Sequence, residues 1–120
     1  MRIERSLELT ADLLRAYSRR GNFHSDADEA GTLGLPGLVA QGMQVAAPAY
    51  GALLDCWGDE FLAHGVLELK FVGMVLEGDT AAAVVDVEEA TATVEVMSTN
   101  TGHTAVVGTA TLEPDPAPEA

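Results

Sequence analysis

The sequence has little cysteine, few aromatic residues and few basic residues, and each shortage excludes a class of structure or function. Its single cysteine, Cys56, excludes an intrachain disulfide and a C-x-x-C metal-ligand pair. We therefore expect no metal and no other cofactor. Aromatic residues make up only 5% of the chain, so the core must consist of Ala, Val and Leu.

Long apolar runs are also missing. No run reaches the length that spans a membrane, and the N-terminal segment MRIERSLELT lacks the apolar region of a signal peptide. We therefore expect a cytoplasmic protein without a membrane partner.

Basic residues are outnumbered by acidic ones, six to nineteen, which gives a formal net charge of −13. Nucleic-acid binding needs clustered Lys and Arg to neutralise phosphates, so we expect no nucleic-acid partner. The one concentrated basic site consists of Arg15, Arg19 and Arg20. An acidic carrier protein or a substrate with a nucleotide tail would have to dock there. The acidic surplus elsewhere is typical of a solvated surface.

The length of 120 residues predicts one domain, and no internal repeat is visible. The last segment, 113–120, is rich in Pro and acidic residues and predicts a disordered tail after a domain that spans 1–112. Near the N-terminus the pattern predicts an edge strand over 2–9, followed by a helix whose N-cap is Thr10. The segment 21–36 contains several Gly and Pro residues and predicts a loop.

The segment 37–57 is almost entirely apolar and predicts a helix buried on most sides, although Pro48 should kink it or remove one hydrogen bond. Beyond it, alternating apolar residues predict strands over 66–75 and 90–97, and a run of β-branched residues and Ala predicts one over 80–87. A turn at 98–103 then leads into a last strand over 104–112, which gives four strands in antiparallel succession. The fold class is therefore α+β, a single domain with a mostly antiparallel sheet wrapped around one long central helix.

Short motifs along these elements resemble one family. The matching positions are Tyr17, Gly21, His24, Asp26, Ala30, Gly34, Leu35, Pro36, Ala40, Gly42, Met43, Phe71, Val75, Gly78, Asp79 and Thr80. In their order and spacing, over about residues 6 to 112, they resemble the MaoC-like, (R)-specific enoyl thioester hydratase branch of the hotdog fold. The resemblance implies a hydratase or dehydratase that acts on an acyl-CoA or acyl-carrier-protein thioester. It also implies a homodimer, because hotdog domains pair through their sheets.

The chain departs from the family pattern G-D-x-N-P-x-H-x-D at the residue that matters most. The family's catalytic Asp precedes its His by five residues. Here the loop is shortened, so that Asn22 falls at the position of the catalytic Asp. Without the shortening, Arg19 would occupy that position. Asp26 matches the second, non-catalytic Asp of the pattern. Further along, Gln41 stands at the family's A-H-G-M histidine and Met74 at its strand-end proline.

Adding water to an enoyl thioester requires a base, an acid and hydrogen-bond donors for the enolate oxygen. The resemblance implies that His24 does the acid and base work, which suits an imidazole near neutral pH. Asn22 can hold a water but cannot take its proton. Asp26 is the nearest carboxylate and a minor candidate to replace the lost Asp.

The start of the long helix would supply the oxyanion donors through the backbone at Gln41, Gly42 and Met43. Gly42 has a second explanation, which is close packing of the helix against the sheet. The resemblance places Phe23, Leu35 and Pro36 at the rim of the substrate pocket.

Other candidate residues are expected to be structural. His64 and His103 lie beside glycines at turns and should be exposed to solvent, whereas Cys56 should be a packed thiol. The methionines, among them Met43 and Met74, should fill the core or line the pocket.

Three functions remain open. The first is the hydratase or dehydratase, including an altered reaction such as addition of another nucleophile, elimination or cyclisation, because the family Asp is missing. The second is a hotdog subunit that binds an acyl thioester without catalysis. The third is a hotdog thioesterase, which ranks last because the carboxylates Asp55 and Glu60 come too late in the helix.

Overall fold

The computed structural model describes residues 1–17, 25, 27–35 and 37–114. Its elements are, in chain order, β1 (Arg2–Glu8), α1 (Ala11–Tyr17), α2 (Ala27–Thr32), α3 (Gly42–Trp57), α4 (Asp59–His64), β2 (Gly65–Phe71), β3 (Thr80–Glu88), β4 (Thr91–Ser98) and β5 (Thr104–Leu112). Residues 115–120 of the predicted tail lie outside the described residues, so the domain boundary at 112 stays a prediction.

The five strands form one sheet in the order β1-β3-β4-β5-β2, and every neighbouring pair is antiparallel. Strands β3, β4 and β5 follow one another as hairpins, in agreement with the predicted succession. Strand β2 instead pairs with β5, because the chain crosses from one side of the sheet to the other between β2 and β3. Strands β1 and β2 are therefore the two edges.

The sheet buries one face against α3. On β3 the residues Ala81, Ala83 and Val85 are buried, while the residues between them are more exposed. Small side chains on α3, such as Ala49 and Ala52, are fully buried against this face and let the helix approach closely. The α+β architecture, with an antiparallel sheet around one long helix, is confirmed.

The long helix begins at Gly42, five residues later than the sequence predicts. The preceding segment is extended because it pairs with residues 75–77: the Ala40 N–H donates to the Val75 carbonyl at 2.9 Å, and the Glu77 N–H donates to the Leu38 carbonyl at 2.8 Å. The same pairing explains why β2 ends at Phe71 instead of continuing to Val75. Pro48 lies inside α3 and is buried.

The predicted loop 21–36 contains a short helix, α2, so the prediction of a continuous loop is wrong. Ala30 anchors it with only 1% of its surface exposed, and the Leu35 N–H donates to the Ala30 carbonyl at 2.9 Å. Gly34 follows the helix with φ of +75°, a conformation that glycine adopts without strain. The predicted N-cap is confirmed, since Thr10 Oγ1 accepts a hydrogen bond from the Leu13 N–H at 3.1 Å.

Gly108 lets β5 lie close to the edge strand β2. A Cβ atom at this position would lie 2.1 Å from the Glu68 carbonyl oxygen, which is a backbone atom and cannot rotate away. We expect Gly108→Ala to lower the free energy of unfolding by about 1–3 kcal/mol, because a strand pair must move apart. Urea denaturation measures the change, and Thr109→Ala on the exposed face serves as the control. Equal stability of both variants would contradict this packing argument.

Candidate active site

The first turn of α3 has unsatisfied backbone donors. Gln41 precedes the helix in an extended conformation (φ −69°, ψ 148°), and within the described part of the chain no side chain caps the helix. The Gln41 carbonyl accepts the N–H groups of Gln44 and Val45, both at 3.0 Å. The N–H groups of Gly42 and Met43 therefore remain at the positive end of the helix dipole, where they can stabilise an oxyanion.

Phe71, at the end of β2, covers this helix start. A Cβ atom at Gly42 would lie 2.9 Å from Cε1 of the Phe71 ring, so the glycine allows the ring to lie directly on the helix backbone. Of the two explanations for Gly42, close helix–sheet packing is the one that this contact supports. Phe71 is 49% exposed.

Exposed apolar side chains occur at Phe71 and at residues that lie close in the sequence to Gly42 or to Phe71. Met43, Phe71, Val72 and Met74 are each about half exposed, at 48%, 49%, 50% and 53%. Met43 and Met74 were expected to fill the core or to line the pocket; both reach the surface and so do not fill the core, while a place in the pocket wall stays a prediction. Apolar exposure of this kind marks a site for a ligand or another protein chain.

Two hydrogen bonds connect the helix start to Ser25 through α1. Gln44, on the first turn of α3, donates from Nε2 to the Leu13 carbonyl of α1 at 3.0 Å. Two residues further along α1, Arg15 donates from Nε to the Ser25 carbonyl at 3.2 Å. Through these two contacts α1 joins Ser25 to the start of α3.

Several predicted site residues lie outside the described residues: Asn22, Phe23, His24, Asp26 and Pro36. Their roles stay predictions. Of the predicted rim and oxyanion residues, Leu35 is half-buried and packs against the core, and Gln41, Gly42 and Met43 lie together at the start of α3. Gln44 was missed by sequence reasoning, although a glutamine at an apolar helix position is a visible signal.

The buried carboxylate of Asp79 belongs to a structural network. It receives hydrogen bonds from four residues, namely the Thr80 N–H at 2.6 Å, the Asn100 N–H at 3.1 Å, the Thr99 hydroxyl at 3.2 Å and the Ser98 hydroxyl. Burial alone would raise the pKa of Asp79, but these hydrogen bonds outweigh it and hold the pKa below its ordinary value. The network joins the start of β3 to the β4–β5 turn.

The remaining polar candidates have structural explanations. His103 is exposed as predicted, and its Nε2 lies 2.9 Å from the Met74 carbonyl, while Nδ1 contacts the Thr101 hydroxyl. His64 is half-buried, which is less exposed than predicted. Asp55 is exposed and forms an ion pair with Arg5 at 3.4 Å.

Two cavities lined by described residues lie away from the start of α3. A depression of about 750 Å³ lies on the outer face of the sheet beside Thr91, Thr93 and Thr109. A groove of about 390 Å³ lies between Met74, Asp79 and His103. Within the described ranges, no three His, Cys, Asp or Glu residues are placed to share a metal ion. None of the helices described is both long and apolar enough to cross a membrane.

Comparison with protein families gives one result that covers most of the chain. The family described as MaoC like domain matches residues 4–108. The chain belongs to the MaoC-like family. No curated protein matches the sequence.

Solved structures of MaoC-like hydratases share the fold. An (R)-hydratase from A. caviae involved in PHA biosynthesis is 21% identical with a TM-score of 0.72, over 94% of this chain and 95% of that one. R-hydratase PhaJ1 from Pseudomonas aeruginosa is 19% identical with a TM-score of 0.73, over 100% and 90%. The C-terminally truncated HadBC (3R-hydroxyacyl-ACP dehydratase) complex from Mycobacterium tuberculosis is 20% identical with a TM-score of 0.64, over 93% and 92%. These similarities establish the hotdog fold for this MaoC-like chain.

Proposed function

We propose that this MaoC-like chain is a hydratase or dehydratase that interconverts an α,β-unsaturated acyl thioester and the 3-hydroxyacyl thioester. The thioester is carried by CoA or by an acyl carrier protein. The observation that carries the proposal is the uncapped first turn of α3, tied through Gln44, Leu13 and Arg15 to Ser25, the residue that follows His24 in the sequence. An oxyanion site and an imidazole are two components that this reaction needs.

In the proposed mechanism the thioester carbonyl oxygen accepts hydrogen bonds from the N–H groups of Gly42 and Met43, next to Gln41. Negative charge develops on that oxygen when water attacks C3, and the helix dipole stabilises it. His24 removes a proton from the water and returns one to C2. Asn22 holds the water by hydrogen bonding, while Asp26 is the minor candidate for a second carboxylate. Phe23, Leu35 and Pro36 form the rim of the acyl pocket.

We further propose that two copies associate through their sheets and that the substrate lies at the subunit junction. Support comes from the open edge of β2 and from the exposed side chains of Val66, Phe71 and Val72 at its two ends. An open strand edge with exposed apolar side chains is a surface that a partner chain covers. A monomer in sedimentation equilibrium would contradict this arrangement.

The activity is tested by incubating the protein with crotonyl thioesters of CoA and of pantetheine. We expect the conjugated enoyl absorbance to fall as water adds, without release of free thiol. Catalytic release of thiol would instead indicate a thioesterase. That outcome is not expected, because Asp55, the carboxylate on α3, is exposed and paired with Arg5.

A second candidate is a subunit that binds the acyl thioester and leaves catalysis to a partner chain. The observation that favours it is Asn22 at the family's Asp position, since an amide cannot take a proton from water. The HadBC dehydratase is described as a complex, which shows that this fold also occurs in assemblies of two chains. Acyl-thioester binding without any change in enoyl absorbance would support this candidate over the first.

A further inference from the structure

Gln44 has a buried oxygen that lacks a hydrogen-bond partner. Only 5% of the residue is exposed, and Nε2 donates to the Leu13 carbonyl at 3.0 Å. Because a carbonyl only accepts, this contact fixes which end of the amide is the nitrogen. Oε1 is then shielded from water, and no described group donates to it. A buried acceptor without a donor is costly, so a bound group that supplies one is stabilised there.

Gln44 lies in the same helix turn as the proposed oxyanion donors. It follows Gly42 and Met43 in the first turn of α3, where each residue advances the helix by about 1.5 Å. Side chains on a helix lean toward its N-terminus, so that of Gln44 lies over the turn that presents those two N–H groups. The helix start therefore combines two donors with one acceptor within a single turn.

We propose that Gln44 Oε1 accepts a hydrogen bond from the C3 hydroxyl of a 3-hydroxyacyl thioester, and from the water that becomes this hydroxyl during hydration. The inference rests on the proposed function. A 3-hydroxyacyl thioester carries an acceptor, the C1 carbonyl, and a donor, the C3 hydroxyl, on a three-carbon unit. That pair complements the two N–H groups and Oε1. The side chains that cover Oε1 must shift by the width of a hydroxyl to admit it.

The role assigned to Gln44 involves no proton transfer. During hydration the water oxygen bonds to C3, one of its O–H bonds breaks, and that proton passes to His24. The electron pair of the C2=C3 bond takes up a proton at C2. The other O–H bond of the water remains intact and donates to Gln44 Oε1. Gln44 thus orients the oxygen of the attacking water, which Asn22 alone would otherwise hold.

Equilibrium binding separates this role from catalysis. The probes are the pantetheine amides of butyric acid and of (R)- and (S)-3-hydroxybutyric acid, which differ by one hydroxyl or its configuration. An amide in place of the thioester suppresses elimination during the titration. The proteins are the full-length chain, Gln44→Met, which keeps the side-chain length without polar atoms, and Leu62→Met as control. Leu62 is 73% exposed on α4. Urea denaturation checks that each variant folds.

We expect the unmodified chain and Leu62→Met to bind one 3-hydroxy amide about fivefold more tightly than the butyryl amide, as one neutral hydrogen bond contributes. Gln44→Met should bind all three amides alike. A hydroxyl preference that survives in Gln44→Met would overturn the proposal. So would weaker binding of every amide by the same factor, because that indicates packing alone. Equal binding of all amides by the unmodified chain would overturn the role of Gln44 and leave the proposed function standing. Failure of all three to bind would overturn both.

Discussion

Replacing His24 with alanine is expected to lower kcat/KM for an enoyl thioester by at least about 100-fold, because a positioned acid and base group contributes that much or more. The imidazole is the proposed proton carrier between water and C2. Asn22 cannot substitute for it, since an amide neither accepts nor releases a proton near neutral pH. Initial rates of enoyl absorbance loss with crotonyl-CoA measure the effect.

The matched control is His103→Ala. His103 is exposed, and its ring forms a hydrogen bond with the Met74 carbonyl at 2.9 Å. Both residues line the groove that also contains Asp79. We expect this variant to stay within a few-fold of the unmodified activity. If His24→Ala remained within a few-fold and His103→Ala lost the activity, the assignment of the catalytic histidine would be wrong.

Replacing Asp79 with alanine is expected to lower the free energy of unfolding by about 3 kcal/mol or more at neutral pH. Its carboxylate satisfies the Thr80 and Asn100 N–H groups and the hydroxyls of Ser98 and Thr99, and Ser98 is fully buried. The variant would leave these donors without an acceptor where β3 begins and the β4–β5 turn closes. Urea denaturation at pH 7 measures the loss. Asp86→Ala, which removes an exposed ion pair with Arg2, should cost much less.

The same network makes the effect depend on pH. The folded protein holds the pKa of Asp79 below its ordinary value of 3.8, so the carboxylate stabilises the fold fully above that value. As the pH falls through the lowered folded pKa, the carboxyl takes up a proton and its contribution is lost. The difference in stability between the unmodified chain and Asp79→Ala should therefore shrink in strongly acidic solution. A difference that is unchanged or larger there would contradict this linkage.

Local patterns in the sequence predict the regular parts of this fold. Alternating apolar residues identify β4, β-branched residues and Ala identify β3, and Thr10 identifies the start of α1, because each signal acts within a few residues. The start of α3 was placed too early because Leu38 and Ala40 are as apolar as the helix. What makes them extended is pairing with Val75 and Glu77, which are distant in sequence. The helix α2 was missed because Gly31 disfavours a helix, while burial of Ala30 stabilises one.

In the candidate site too, the sequence predicts local features but not contacts that depend on packing between distant segments. Motif order indicated Gln41, Gly42 and Met43, and these residues do form the start of α3. The link from Gln44 to Leu13 and the orphaned oxygen of Gln44 could not be predicted, since both depend on how α1 packs against α3. The place of Asp79 in a motif was visible, but three of its four hydrogen bonds come from Ser98, Thr99 and Asn100, about twenty residues away. The roles of Asn22, His24 and Asp26 remain predictions.

The most direct test of the proposed reaction is proton NMR of crotonyl-pantetheine incubated with the protein in deuterium oxide. We predict the 3-hydroxybutyryl thioester with one deuteron at C2, in a single relative configuration of C2 and C3 that the H2–H3 coupling reports. This product requires water addition at C3 and proton delivery to C2 at one site. Recovery of unchanged crotonyl thioester, or of free crotonate and thiol, would contradict the proposal that the chain is an enoyl thioester hydratase.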